Sequence, residues 1–361
     1  MAKKQLFIPL PENHEPWMER YFKDKQLSKV RIPELKKLKQ VFVNHYGLVL
    51  KNGFIQRRCA FNLFGRRDTR FGLAYWRVLL EQYLVCRFGK SLHSVSLQSE
   101  ERYLLIHSKW FNYSFWVNSF LARLIQAEET IGLDNLTLIY PESWDSIEYA
   151  HASLDAFHVK KVRIPTDHHL FVKHLIMPET REWTASFDPQ QIQKVRERLV
   201  PFALKRTRLK EFPKNIYLTR KKRKTRSIEN ERDLIPILDE YDFSILNFED
   251  FSFWDQVALM HHAKTFVSIH GAGFSNCLFM QPGSCVLELV NQAYADQEYK
   301  FPFWKLANAA QLKYFVQFGA PVNPNARLRR GAKHDHDNSY LADENIVIDN
   351  TLFILNIQRL T

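Results

Sequence analysis

The period of the apolar positions changes along this chain, and the second half shows the plainest alternation. Asn215-Ile-Tyr-Leu-Thr219, Phe243–Phe248, Thr265–Ile269 and Ser284–Val290 are short apolar runs that read as strands. Between them the spacing turns helical. Asn230 stands where it would cap a helix over Glu231–Tyr241, with Asp233 three residues on and Pro236 as an imperfection inside. Ser252-Phe-Trp-Asp255 has capping-box spacing with Asp in place of Glu, and opens a helix through Ala263. Cys277–Met280 reads as a short helix closed by Pro282-Gly283. Strands spaced by helices of about ten residues imply βαβ units and a parallel sheet.

The first half follows the same grammar less cleanly. Tyr103–His107, Asn135–Tyr140 and Lys161–Ile164 read as strands, and Asn112–Glu129 and Ser146–His158 as helices. Phe120, Leu121, Leu124 and Ile125 fall on one face of the first helix. Before residue 100 only short β-like runs such as Tyr46–Leu50 and a helix over Leu73–Phe88 stand out, and His168-His169 reads as a strand start. A polar stretch with one helix, Pro189–Leu199, separates the halves. The expectation is an α/β chain with a first domain over residues 1–185, a linker over 186–213 and a second domain over 214–361. Two Rossmann-like domains, their parallel sheets facing across a cleft, would bind ligands at the carboxyl ends of the strands.

Length supports this, since 361 residues accommodate about two domains of roughly 150. The amino-terminal stretch Met1–Leu10 has no apolar run of signal-peptide length, and no window approaches a membrane-spanning run. Cys59, Cys86, Cys277 and Cys285 lack metal-type spacing and read as free thiols. A cytoplasmic protein is therefore expected. The formal net charge of +12 suggests an anionic partner. It is concentrated: Lys205–Arg226 holds eleven Lys and Arg against one acid, Glu211. Nucleic acid, an anionic membrane surface and a phosphorylated small molecule compete as readings, beside a merely solvated basic face. No nucleic-acid-binding motif accompanies the run, which lowers the first.

The densest chemistry lies in His270-Gly271-Ala272-Gly273-Phe274-Ser275-Asn276, between the strand ending at Ile269 and the short helix. Glycines there let a ligand approach the backbone, and a helix start suits a phosphate. Alone, such a turn has many explanations. Its surroundings narrow them. Leu218-Thr219-Arg220 is followed by Arg226-Ser-Ile-Glu-Asn230-Glu231 and Leu234, then by Ser252-Phe253, Gln256-Val257 and Ala263. His270-Gly-Ala-Gly273, Asn276, Phe279, Pro282-Gly283 and Val286-Leu-Glu288 complete the pattern.

In order and spacing these residues, within 217–290, resemble glycosyltransferase family 61. That family includes protein O-linked N-acetylglucosaminyltransferases, plant xylosyl- and arabinosyltransferases, and bacterial enzymes. The resemblance implies a GT-B fold and an inverting hexosyl or pentosyl transfer from a nucleotide sugar, most often a UDP-sugar. The donor is held mainly by the carboxyl-terminal domain, with no metal bridging the phosphates and no cofactor. Arg220 and Arg226 fall at the family's arginine positions and are assigned to the diphosphate. Gly271, Ala272, Gly273 and Phe274 would supply backbone near the donor. Asn276 would bond a phosphate or the sugar, or else cap the helix start. Glu288, in an otherwise apolar strand, would pair with ribose hydroxyls or with an arginine. His270 is expected at the site, with donor contact favoured over proton abstraction.

Inversion also needs a general base. The family carries Asn-Tyr-Tyr-His-Trp, then an acid, then Leu-Pro-Arg in its first domain. The matching stretch here is Asn112-Tyr-Ser-Phe-Trp116, then Leu121-Ala-Arg-Leu124. Phe115 stands at the histidine position and Ser119 at the acidic one. The base is left open; Asp145, Glu148 and His151 cannot be ranked. His334-Asp-His-Asp337 reads as a solvated loop rather than a metal site. Trp183, Trp254 and Trp304 read as packing residues, with Trp304 an alternative cleft residue. His261-His262 reads as having one ring toward solvent. The expected protein is a bacterial enzyme of capsular or surface polysaccharide synthesis, using a nucleotide-sugar donor and a glycan or lipid-linked acceptor. Its basic surface suggests peripheral contact with an anionic inner leaflet, and nucleic acid is not an expected partner. A non-catalytic glycosyltransferase-like binding protein and a basic nucleic-acid-binding protein are the alternatives.

Overall fold

A computed structural model describes residues 4–30, 34–45, 47–52, 54–56, 94–97, 101–108, 112–166, 168–178, 187–220, 225–297, 301–323 and 344–361. The chain divides into two compact units, Met1–Arg31 with Thr184–Thr361, and Ile32–Trp183. This departs from the expected division in two places. The amino-terminal segment belongs with the carboxyl-terminal half, and the expected linker carries a long helix packed into that same unit.

In the amino-terminal segment β1 (Lys4–Phe7) and β2 (Leu27–Val30) form an antiparallel ribbon around a helical turn, α1 (Glu19–Phe22). The segment is a strap. Tyr21 and Phe22 pack on Phe301, and Phe22 also meets Trp304. The Trp304 indole N–H donates to the Pro9 carbonyl at 2.8 Å, so this tryptophan is a packing residue.

The unit of residues 32–183 is built on an eight-stranded sheet. Its strands are β3 (Leu35–Asn44), β4 (Val49–Lys51), β5 (Phe54–Ile55), β6 (Ser94–Leu97), β7 (Arg102–Leu104), β8 (Leu136–Pro141), β9 (Lys160–Ile164) and β10 (His169–Pro178). β10, β7, β8 and β9 run parallel, and β3 to β5 form an antiparallel edge. The expected helix over Asn112–Glu129 has a more particular build. Asn112 caps it, accepting the Phe115 N–H at 2.9 Å. It then runs as α2 (Tyr113–Phe115), a π-helical turn over Trp116–Phe120, and α3 (Leu121–Ile131). Of the expected Ser146–His158 helix, α4 covers Glu148–Leu154. The Leu73–Phe88 expectation lies outside the described residues.

In the larger unit α5 (Pro189–Arg206) starts at Asp188, whose side chain accepts the Gln190 N–H, with Pro189 at the first position. The sheet follows: β11 (Asn215–Leu218), α6 (Glu231–Glu240), β12 (Phe243–Leu246), α7 (Phe253–His262), β13 (Thr265–Ile269), β14 (Cys285–Asn291), α8 (Gln292–Gln297), α9 (Pro302–Ala309), β15 (Lys313–Pro321), β16 (Ile346–Val347) and α10 (Asn350–Leu360). Strand order is β12-β11-β13-β14-β15-β16, with all but β16 parallel. β13 is buried throughout and β14 almost so, as expected of a sheet covered on both faces.

Two expectations about caps separate here. Ser252 caps α7 as the spacing predicts: it accepts the Asp255 N–H and donates to the Asp255 carboxylate at 2.6 Å. Burial opposes the charge on Asp255, but hydrogen bonds from Ser252, Thr207 and the Arg208 N–H outweigh it and hold the carboxyl below its usual range. Asn230 does not cap α6. Its amide accepts the Ile348 N–H and donates to Ile348 O and Asn350 Oδ1, tying the start of α6 to the start of α10. Pro236 sits on an exposed position of α6 without ending it.

The strap completes this sheet. β15 pairs with β14 along one edge, and on its other edge Glu12 N–H donates to Tyr314 O at 2.8 Å. Asn13 donates to Val316 O at 2.7 Å and accepts Val316 N–H at 3.1 Å. An otherwise open strand edge is thus covered by the chain's own amino-terminal segment.

Candidate functional site

The strand order determines where a ligand crevice lies. The chain leaves β11 through α6 to β12 on one side, then crosses by α7 to β13 on the other. The loops beyond the carboxyl ends of β11 and β13 therefore part, which is the switch point where open α/β sheets bind ligands. Thr219 and Arg220 follow β11 there, and His270–Gly273 follow β13.

The first loop is pinned at its root. Thr219 N–H donates to Leu246 O at 2.9 Å. Its hydroxyl and that of Tyr217 both donate to Glu231 Oε1, at 2.8 and 2.9 Å. Glu231 opens α6, where a negative charge meets the positive end of the helix. Burial, together with the nearby Glu231 charge, pushes the Tyr217 phenol well above its usual range, so it stays a donor. Arg220 emerges from this base against the second loop. A Cβ on Gly271 would stand 2.3 Å from Arg220 Nη1, so the guanidinium lies on the bare face of that glycine. The backbone there is extended, with φ 166°, so the position demands space and not an unusual conformation. Gly273 is close too: a Cβ there would meet Leu218 Cδ2 at 3.0 Å.

The second loop differs from the expected turn followed by a helix at 277. One 3-10 run covers Ala272–Phe279 and begins directly after Gly271. Ala272 and Gly273 are half-buried, whereas Phe274 and Asn276 are buried. The Phe274 ring packs between Phe266 and Phe303. Asn276 Nδ2 donates to Gly273 O at 3.1 Å, so its amide clasps the turn from inside instead of capping the helix start. Arg196 of α5 holds the far end, donating to Leu278 O at 2.8 Å and Ala310 O at 2.9 Å.

His270 lies over a buried acid. Its Nδ1 is 2.7 Å from Glu288 Oε1, and the Tyr314 hydroxyl donates to Glu288 Oε2 at 2.5 Å. Glu288 has no exposure, and its two oxygens meet the His270 ring and the Tyr314 hydroxyl. Burial and the Glu288 charge push the Tyr314 phenol well above its usual range. Cys277 is a buried free thiol, and burial raises it also.

Arg226 has φ 55°, a left-handed conformation that costs a non-glycine residue about 1 kcal/mol or more. Its neighbours are held firmly: Ser227 N–H donates to Asn345 Oδ1 and Glu229 N–H to Ile346 O. Residues 221–224 lie outside the described residues, as do Cys59, Cys86, Trp183 and His334–Asp337. Among the described residues no group of three or more His, Cys, Asp or Glu could hold a metal ion. Nor is any described helix long and apolar enough to cross a membrane.

In the unit of residues 32–183 the motif positions serve packing. Phe115 is buried, and Ser119 is half-buried in the π-helical turn. Trp116 Nε1 donates to Ser153 Oγ at 2.8 Å. Arg123 is buried and donates to Ile106 O at 2.7 Å. Asp145 pairs with Arg163 on the surface, and Glu148 sits in the first turn of α4 with His151 in its last. His261 and His262 are both half-buried, with His262 stacked on Phe212.

Sequence reasoning missed Tyr314 and the pinning role of Glu231. Glu231 carried a signal, being a motif residue at a helix start. Tyr314 carried none, because it meets Glu288 only through the register of β14 on β15.

The Glycosyltransferase 61 family model matches residues 113–287, just under half of the chain. A stretch of 78 residues, 21% of this chain, is 33% identical to the EGF domain-specific O-linked N-acetylglucosamine transferase of Drosophila melanogaster. That stretch spans 15% of the relative's length. By both matches the chain is similar to glycosyltransferases.

Proposed function

We propose that the chain is an inverting glycosyltransferase of the GT-B type that holds a nucleotide sugar at the β11–β13 switch point. The observation that carries this is the Arg220 guanidinium laid on Gly271, where two loops part at the carboxyl edge of a parallel sheet. A guanidinium beside glycine backbone suits a diphosphate, because both offer hydrogen-bond donors to anionic oxygens. Arg226 is a second cation for the same group. A UDP-sugar is the donor we favour, with transfer to a glycan or lipid-linked acceptor in polysaccharide synthesis, without a bridging metal. We place it in the cytoplasm, and the charge of +12 favours peripheral contact with an anionic leaflet.

Thermal shift against UDP, GDP, CMP, dTDP and their sugars tests the donor site. Binding at a hundredfold excess over Kd raises stability by about 2.7 kcal/mol. A shift with one nucleotide class, lost in Arg220→Ala, is expected; no shift at millimolar ligand would reject the reading. The burial of Phe115 at a position where the family carries histidine favours one second reading, a binding protein without turnover. Product formation with a bound donor decides between them.

A further inference from the structure

His270, Glu288 and Tyr314 occupy one face of three neighbouring strands. Ser268 is opposite Glu288 in the β13–β14 register, so His270, two residues on, is its diagonal neighbour. Val316 is opposite Glu288 in the β14–β15 register, so Tyr314, two residues back, is the other diagonal neighbour. The Glu288 carboxylate thus lies between the His270 ring and the Tyr314 hydroxyl and is shut away from solvent. An ionised carboxylate only accepts, so the ring nitrogen facing it carries the hydrogen. In a neutral imidazole with its hydrogen on Nδ1, the remaining nitrogen, Nε2, offers a lone pair. That edge of the ring is turned away from Glu288, and the side chain keeps 17% exposure beside the Gly271 turn. A lone pair meets phosphate oxygens poorly, since both are acceptors, and meets a hydroxyl well.

Building on the nucleotide-sugar reading, we propose that Glu288 and Tyr314 are positioning residues that hold His270 as its Nδ1–H tautomer. His270 Nε2 then accepts a hydrogen from a hydroxyl of the bound donor, on its ribose or its sugar. The diphosphate is left to Arg220 and the turn backbone. The strap contributes at one remove, because Glu12 and Asn13 hold the strand that carries Tyr314.

The test is a nitrogen NMR spectrum of the full chain carrying 15N-histidine, with His270 assigned through His270→Gln. In the wild type at pH 8, Nδ1 is expected to resonate as a protonated nitrogen and Nε2 as an unprotonated one. Glu288→Leu is expected to move the ring toward the Nε2–H form. An Nε2–H ring in the wild type, or an unchanged ring in Glu288→Leu, would overturn the proposal. Should Glu288→Leu not fold, Tyr314→Phe takes its place. There the donor Kd is expected to rise several-fold with the fold intact, and an unchanged Kd with an unchanged ring spectrum counts against the pair. UDP and UDP-N-acetylglucosamine are then added in turn. A ribose contact perturbs Nε2 with both, and a sugar contact only with the second; protonation of Nε2 by either overturns the hydroxyl assignment. No response to either would overturn that assignment and count against the nucleotide-sugar reading. The tautomer, read without ligand, judges the positioning pair separately.

Discussion

Two histidines follow parallel strands in the two units, and their neighbourhoods differ in every respect that matters for chemistry. His107 follows β7 and is buried, its Nε2 3.2 Å from the carbonyl of His45 and its ring against Trp144. Burial pushes its pKa down to about 3, with Arg123 adding to the fall and the His45 hydrogen bond offsetting part of it. It is a neutral packing group. His270 follows β13, keeps some exposure, and directs Nδ1 at a carboxylate. A carbonyl meets one ring at Nε2 and a carboxylate meets the other at Nδ1, so on our proposal the two rings carry opposite tautomers. Each also has a glycine against it or beside it. A Cβ on Gly47 would meet the His107 carbonyl oxygen at 2.5 Å, a backbone atom. A Cβ on Gly271 would meet the tip of Arg220. The same residue type is therefore sealed in one unit and partly exposed over a buried acid in the other.

The glycines give the largest expected contrast. Gly47→Ala meets both a backbone clash and φ +74°, and should destabilise by about 2–4 kcal/mol in urea unfolding. Donor binding measured below the unfolding transition should be unchanged. Gly271→Ala should displace only the Arg220 guanidinium. Donor binding is then expected to weaken about 10–100-fold, as for loss of a charge-assisted hydrogen bond, with stability within about 1 kcal/mol. A Gly271→Ala protein that binds normally but melts early would erase the contrast.

Asn13→Ala should come next. It leaves Val316 and Asn356 without a buried partner group, and a loss of about 1–3 kcal/mol is expected by thermal unfolding. An unchanged midpoint would mean the strap adds nothing to the strand that carries Tyr314.

The smallest effect is a slope. The folded value of His107, about 3, lies below its ordinary 6.5. Between these values the unfolded chain takes up a proton that the folded chain does not. Stability from this group is thus full above about pH 6.5 and falls as pH drops toward 3, by at most about 1.4 kcal/mol per unit. Urea midpoints at pH 7.5 and 5.0 should differ more in wild type than in His107→Gln. Equal differences would place His107 among ordinary exposed histidines.

Much of the larger unit was legible in the sequence. The strands at 215, 243, 265 and 285 and the Ser252 cap depend on neighbours within a few residues, and alternation and capping are short-range effects. Asn230 looked like the same kind of signal, yet its amide serves Ile348 and Asn350, more than a hundred residues away. Asn276 was placed in the right turn, but its bond to Gly273 O depends on burial that turns its amide inward, which no local pattern shows. The strap was illegible for a related reason: Asn13 matters through Val316 and Asn356, at the other end of the chain.

The sequence by itself determined the four strands at 215, 243, 265 and 285, the helices between the first three, the glycine turn and the cationic character of the loop after β11. Only the tertiary structure decided that Arg220 rests on Gly271, that Glu288 is sealed beneath His270, and that Tyr314 completes the group. Those contacts are set by strand order and register, which join residues that no local periodicity relates, and by burial, which forces each enclosed polar group to find a partner.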